Sequence, residues 1–244
     1  DLADYLYVRG RVGGDRYTLQ KTNSTPWGTA YSKLGGMSES SSTFKQYDAD
    51  VFIGTDNLQL ADGVSLTTFV GIGTTNEQYE SYGVSGSDFI VPFLINVKNT
   101  ANQGSSYSFW EKQINSAYGS AEIGFMDYAY LTLTARNDWF STLSLKDKEA
   151  PNNDLYTSAS LSLVLSDALD LGDAVSFLKL RAGYSQVAGG ADSPYALSLS
   201  YGIYGQGHLG ASLGSISGGT IPNSEITPFE KNETEFGMDL RLFD

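Results

Sequence analysis

Alternation of apolar and polar residues, repeated along most of the chain, is the feature that most narrows what this sequence can fold into. In Leu155 to Leu165 the odd positions Leu155, Thr157, Ala159, Leu161, Leu163 and Leu165 oppose the even positions Tyr156, Ser158, Ser160, Ser162 and Val164. Successive side chains of a β-strand point to opposite faces, so the pattern predicts a strand with one oily and one hydroxylated side. Val175 to Val187 sorts Leu178, Leu180, Ala182 and Tyr184 against Lys179, Arg181, Gly183 and Ser185. The end of the chain sorts Thr234, Phe236, Met238, Leu240 and Leu242 against Glu233, Glu235, Gly237, Asp239 and Arg241. Tyr128 to Trp139 reads the same way, and Tyr5–Tyr17, Phe44–Gly54, Val64–Asn76 and Ile114–Met126 do so less cleanly. An all-β, antiparallel chain of about eight strands follows, each longer than the ~5–6 residues usual in globular sheets.

The spacing between strands adds an independent signal. Long connections at Thr18–Thr43, Glu77–Gln113, Phe140–Asn153 and Ala188–Asn232 alternate with short ones at Thr55–Gly63, Asp127 and Ser166–Ala174. An up-and-down sheet with short turns on one rim and long polar loops on the other is the pattern of a bacterial outer-membrane barrel. Loops beyond ~15 residues are uncommon in compact soluble domains. Within the longest connection Leu197, Leu199, Tyr201 and Ile203 alternate, which predicts a hairpin inside an external loop. A soluble β-sandwich, carbohydrate-binding or hydrolytic, shares the alternation and remains the alternative, as does a porin without a plug.

Composition closes other routes. A formal net charge of -13 and a pI near 4.4 remove the basic footprint that nucleic-acid binding needs. There is no cysteine and one histidine, His208, so thiolate zinc sites, disulfides and His-cluster metal sites are excluded, and His208 reads as a plain loop residue. No cofactor and no enzymatic chemistry are expected. Gly71-Ile72-Gly73 lacks the third glycine and the helix of a dinucleotide loop and reads as a packing feature. No run approaches the ~18 apolar residues of a membrane-spanning helix. A start directly into a strand and an end in mid-pattern at Leu240-Arg241-Leu242-Phe243-Asp244 suggest an arc of a larger barrel, since an open arc leaves unpaired edges that lipid does not tolerate.

Arg136-Asn137-Asp138-Trp139-Phe140-Ser141-Thr142-Leu143, following a tyrosine-rich strand, resembles the RNDWSSTL signature of the SusC/RagA-type TonB-dependent transporters of Bacteroidetes outer membranes. Asp154–Ser162 resembles the FYPSVSLSW strand of that family, Phe177–Val187 its KLRASYGQVG strand, Ile221-Pro222-Asn223 with Glu233–Phe243 its IPNPNLKPE…EIGLDLRFF segment, and Tyr5–Tyr17 its WLSVKGRAGLDYYT strand. The pattern departs at Ile226-Thr227-Pro228-Phe229-Glu230, where LKPE is usual, and at Thr157, where proline is usual. The resemblance implies that residues 1–244 are part of one barrel domain of the 22-stranded type. It further implies a multi-pass outer-membrane importer of oligosaccharides or oligopeptides, lidded by a SusD-like surface lipoprotein. TonB would act through a plug segment that lies outside this sequence.

Candidate site residues come from the same motifs. Arg136, Asp138 and Trp139 are candidates for the ligand cavity at the outer mouth; on the other reading Trp139 belongs to an aromatic girdle and Arg136–Asp138 orders the start of a loop. Lys179, Arg181, Glu233, Glu235, Asp239 and Arg241 share the polar parity and are expected to face the lumen, as plug contacts or wall charges.

Overall fold

A computed structural model describes residues 5–146, 148–172, 174–205, 207–219 and 221–243. Eight strands form one antiparallel sheet in the order β1-β2-β3-β4-β5-β6-β7-β10, with β1 Leu6–Thr25, β2 Gly36–Ala61, β3 Val64–Phe89, β4 Thr100–Phe125, β5 Ala129–Phe140, β6 Asn153–Val164, β7 Val175–Gly189 and β10 Phe229–Leu242. A separate hairpin pairs β8 Tyr201–Tyr204 with β9 Leu213–Ile216. Two of the alternating positions predicted for that hairpin, Tyr201 and Ile203, are in it; Leu197 and Leu199 precede it. A four-residue helix, α1 Leu165–Ala168, begins the connection from β6 to β7, and no helix among the described residues is long and apolar enough to cross a membrane.

The expected long-short order of connections survives only in part, since 165–174, expected to be short, is as long as 26–35 and 90–99, and the strands reach much further into the connections than expected. β2, β3 and β4 each have 26 residues, so residues 18–25, 36–43, 77–89 and 100–113, read from sequence as loop, are strand. The true connections there are 26–35 and 90–99, and β2 turns into β3 through Asp62 and Gly63 alone. At ~3.4 Å per residue, each of these strands has roughly 90 Å of contour, about three times a hydrocarbon core of ~30 Å.

Contacts divide the chain into two compact units. One holds residues 5–11, Ala49–Thr74 and those from Gln113 onward; the other holds Val12–Asp48 and Thr75–Lys112.

In the first unit the register of strand pairing converts parity into faces. Leu131 opposes Ile123 and Leu161, Leu161 opposes Ala182, Leu163 opposes Leu180, Ala182 opposes Phe236, and Leu180 opposes Met238. The other parity lines up Glu122, Thr132 and Ser160 in one row, and Ser162, Arg181 and Gly237 in another. No second sheet covers the apolar side among the described residues: Leu161 is 41% exposed, Leu180 36%, Leu240 45% and Phe236 84%. A sandwich would bury these positions, so that alternative lacks its second layer here.

Gly71 fits this arrangement as a packing glycine. A Cβ there would lie 2.6 Å from the Phe52 Cβ and 3.2 Å from Tyr118 Cε2, so its bare backbone makes room for two rings from neighbouring strands.

Candidate functional site

On the polar parity of the first unit, charges and rings from consecutive strands are tied into two clusters. Arg11 donates from Nε to Asp50 Oδ1 at 3.0 Å and from Nη2 to Asp50 Oδ2 at 2.7 Å, a forked pair that fixes the planar guanidinium. Its Cζ stands 5.0 Å from the centre of the Phe52 ring, and Arg9 stands over Tyr7 and Phe52 at 5.3 and 5.8 Å. In the second cluster Arg136 Nε donates to both Asp138 oxygens at 2.9 and 3.1 Å, and Nη2 donates to Ser116 Oγ at 2.8 Å. The Tyr156 hydroxyl donates to Asp138 Oδ2, and the Arg136 guanidinium lies 5.5 Å from the centre of the Tyr118 ring. Asp138 is thereby 5% exposed yet fully engaged, as a buried carboxylate must be.

Trp139 does not join them. Period two turns it to the opposite face, where with Ala49, Val51, Ile72 and Ala117 it lines a shallow depression of about 500 Å³. The three residues grouped by sequence therefore do not line one surface. The rest of their motif builds a loop anchor: Phe140 and Leu143 are buried, Ser141 Oγ accepts from the Gln113 backbone N–H at 2.7 Å, and Ser144 Oγ donates to the Phe140 carbonyl at 3.1 Å. Lys148 donates to the Leu143 and Pro151 carbonyls, and burial pushes its pKa down.

The six residues expected on the lumenal parity do share one face of β7 and β10. Glu233 is opposite Ser185, Glu235 opposite Gly183, Asp239 opposite Lys179, and Arg241 opposite Phe177, over whose ring it lies at 5.2 Å. Arg181 reaches diagonally to Asp239 at 3.3 Å, and Lys231 meets Glu233 at 3.8 Å. These pairs are well exposed and add little to stability.

The second unit carries a feature absent from the sequence reading, which puts Tyr79 and Trp110 in the Glu77–Gln113 connection and Tyr17 and Phe44 at the ends of two strands. Tyr17, Phe44, Tyr79 and Trp110, one from each of β1 to β4, form a continuous aromatic row. Tyr17 stacks on Phe44 at 5.2 Å, Tyr79 on Trp110 at 5.5 Å, and Phe44 meets Trp110 at 6.3 Å. Hydroxyls border the row: Tyr79 donates to Ser42 Oγ at 3.1 Å, Ser42 and Ser81 are 2.8 Å apart, and these two serine hydroxyls, which can turn to donate to the phenolate, hold the Tyr79 pKa below its ordinary value. Lys112 pairs with Glu77 at 2.9 Å.

Elsewhere in this unit an open groove of about 840 Å³ is lined by Gln20, Glu39, Tyr82, Val84, Ser105 and Tyr107. There the Glu80 carboxylate accepts from the Tyr82 hydroxyl at 2.6 Å and the Tyr107 hydroxyl at 3.1 Å. The bond from Tyr82 draws Glu80 below the usual carboxylate range, and Glu80 in turn pushes Tyr82 up to about 12. Tyr107 is raised first by desolvation and then by Glu80. No group of three potential metal ligands occurs among the described residues.

No model of a protein family matches the chain, and no curated protein does. Solved structures do match. The RagAB peptide transporter aligns over 99% of this chain at 15% identity with a TM-score of 0.82, and the RagAB peptide importer in its closed-closed and open-open states aligns at 0.81 and 0.80, also at 15% identity and 99% coverage. The chain spans about a quarter of those proteins, 26% to 27% of their length. The likeness shows the fold: an antiparallel arc of a large β-barrel.

Proposed function

We propose that this chain is wall and outer rim of a bacterial outer-membrane importer, with residues 1–244 part of a single barrel domain. One observation carries the reading. The face that bears Leu131, Leu161, Leu180, Met238 and Leu240 is open, while the opposite face holds Arg136, Asp138, Arg181 and Asp239 in ion pairs. A sheet of this kind suits hydrocarbon on one side and a wet lumen on the other.

On this reading Lys179, Arg181, Glu233, Glu235, Asp239 and Arg241 face the lumen, and the Arg136–Asp138 pair braces the wall where β5 meets its loop. Trp139 sits in the aromatic girdle. Tyr17, Phe44, Tyr79 and Trp110 offer stacking surface to an incoming ligand, an oligosaccharide or an oligopeptide. The resemblance of the Arg136–Leu143 and Phe177–Val187 motifs to SusC/RagA-type transporters supports a SusD-like lipoprotein lid and TonB-driven opening through a plug outside this sequence. Transport, not catalysis, is the activity.

The test is uptake by cells expressing the full-length protein. It should fractionate with outer membranes, resist extraction without detergent, and lose uptake of its ligand when TonB is deleted. Recovery of the intact protein from buffer alone would end the reading.

A further inference from the structure

Among the described residues one pair brings two tyrosine rings together, and it lies in the second unit. The Tyr82 ring of β3 and the Tyr107 ring of β4 have centres 5.0 Å apart at a tilt of 44°. Both phenols donate to the same acceptor, Glu80 Oε1, from 2.6 Å for Tyr82 and 3.1 Å for Tyr107. The strands are close beside them as well: a Cβ on Gly83 would lie 2.5 Å from Ser106 Oγ, so the chain neighbours of both tyrosines also meet across β3 and β4. Both rings line the open groove and are more than half exposed, Tyr82 58% and Tyr107 61%, so a reagent in solution reaches them. The other described tyrosines in ring contacts have different partners: Tyr7, Tyr17, Tyr118 and Tyr128 meet phenylalanine, and Tyr79 meets Trp110.

We propose that Tyr82 and Tyr107 form an oxidative cross-linking site, at which a one-electron oxidant of the peroxidase class, fed by a peroxide, joins β3 to β4 through a dityrosine bond with Glu80 as proton acceptor. A phenol gives up an electron far more readily when its proton leaves with it, and a carboxylate within hydrogen-bond reach is placed to take that proton. Tyr82 yields its electron to the oxidant and its proton to Glu80, which passes the proton on to water. Tyr107 loses an electron and a proton by the same route. The two phenoxyl radicals couple through ring carbons ortho to oxygen, and each coupled carbon then loses its hydrogen while its oxygen regains one. One C–C bond is formed, two hydrogens leave in all, and the peroxide is reduced to two waters. A partner ring already 5.0 Å away makes the coupling intramolecular and favours it over an encounter with a second chain. Glu80 is ionised for the task, since the hydrogen bond from Tyr82 draws it below the usual carboxylate range. The product closes residues 83–106 into a covalent loop, a constraint of the kind that disfavours the unfolded chain. The cross-link needs only β3 and β4 of the second unit, so it stands apart from the importer reading.

The test treats the full-length protein with hydrogen peroxide and a peroxidase, then unfolds and digests it. Tryptic cleavage after Lys45, Lys98 and Lys112 places Tyr82 in residues 46–98 and Tyr107 in residues 99–112. The expected product is those two fragments joined, two hydrogens lighter than their sum by mass spectrometry, with dityrosine fluorescence. Residues 46–98 also hold Tyr47 and Tyr79, so Tyr82→Phe identifies the partner: the joined pair should vanish in it, as in Tyr107→Phe. Glu80→Gln, which keeps a hydrogen-bond acceptor but not a base, should form the pair at least roughly 10-fold more slowly. No joined pair from the folded wild type, a pair that survives Tyr82→Phe, or dityrosine formed only between chains overturns the site. A Glu80→Gln rate equal to that of the wild type overturns the role of Glu80, and with it the proposal as stated.

Discussion

Asp138 and Trp139 are neighbours in sequence and face opposite sides of the sheet: Asp138 accepts from Arg136 and Tyr156, while Trp139 lies beside Ile72 and Ala117. Asp138→Ala would strand the Tyr156 hydroxyl and remove the ion-pair partner of Arg136. The expected cost is about 2 kcal/mol, a modest value for a buried charged acceptor because Arg136 is partly exposed and water takes up part of the loss. Trp139→Phe should cost well under half of that. Denaturant unfolding of the folded barrel in detergent measures both, and equal losses would contradict the separation of faces.

Arginine scanning along β6 should separate the two parities. Leu161→Arg is expected to cost about 2–4 kcal/mol if the apolar side meets lipid near the bilayer midplane, whereas Ser160→Arg should cost under about 1 kcal/mol. Folding yield into liposomes reads the difference. Equal tolerance at both positions would place water on both sides.

Gly71→Ala adds a methyl group where 2.6 Å separates it from the Phe52 Cβ and 2.9 Å from the Val51 carbonyl oxygen. A loss of about 1–3 kcal/mol is expected from overpacking. Gly13→Ala, with nothing within 4 Å, is the matched control and should be close to neutral.

The Glu80–Tyr82 bond predicts a pH signature at both ends of the scale. Tyr82 has its folded pKa raised to about 12, so its contribution to stability is complete below the ordinary tyrosine value near 10 and is lost as pH rises from there through 12. Glu80 has its folded pKa lowered, so its contribution is present above the ordinary carboxylate range and disappears as pH falls through the lowered value. Absorbance titration near 295 nm should show Tyr82 ionising late, and Glu80→Gln should bring that ionisation back toward the ordinary tyrosine value. A titration unchanged by the substitution would remove the bond.

Where one face is apolar and the other polar, the strands were legible from parity alone: the Leu161, Leu163, Leu180 and Met238 rows follow directly from counting in twos. That legibility ends in Ser38-Glu39-Ser40-Ser41-Ser42, which is strand with polar residues on both faces and therefore has no alternation to read. The same blindness hid half of the aromatic row, Tyr79 and Trp110, which lie in such lengths of β3 and β4, while Tyr17 and Phe44 close and open lengths that do alternate and meet only through contact between strands. Parity also holds the information that separates Trp139 from Arg136 and Asp138, since 136 and 138 are even and 139 is odd, although the sequence reading grouped the three as one candidate site. The clasp by which Asn99 accepts from the Val91 N–H at 3.0 Å and donates to the Val91 and Leu94 carbonyls at 2.8 and 2.7 Å was not legible, because it depends on three-dimensional closure of a loop and leaves no periodic trace.

Gly189 and Phe229 pair directly, although residues 190–228, with the β8–β9 hairpin among them, lie between. The excursion leaves and rejoins the sheet at adjoining rungs, so its neck is already closed by backbone hydrogen bonds. Cassettes of other lengths and compositions could be spliced at that neck without moving a single rung of β7 or β10, which makes this stretch the natural place for a lineage to retune its surface while the masonry beneath stays fixed.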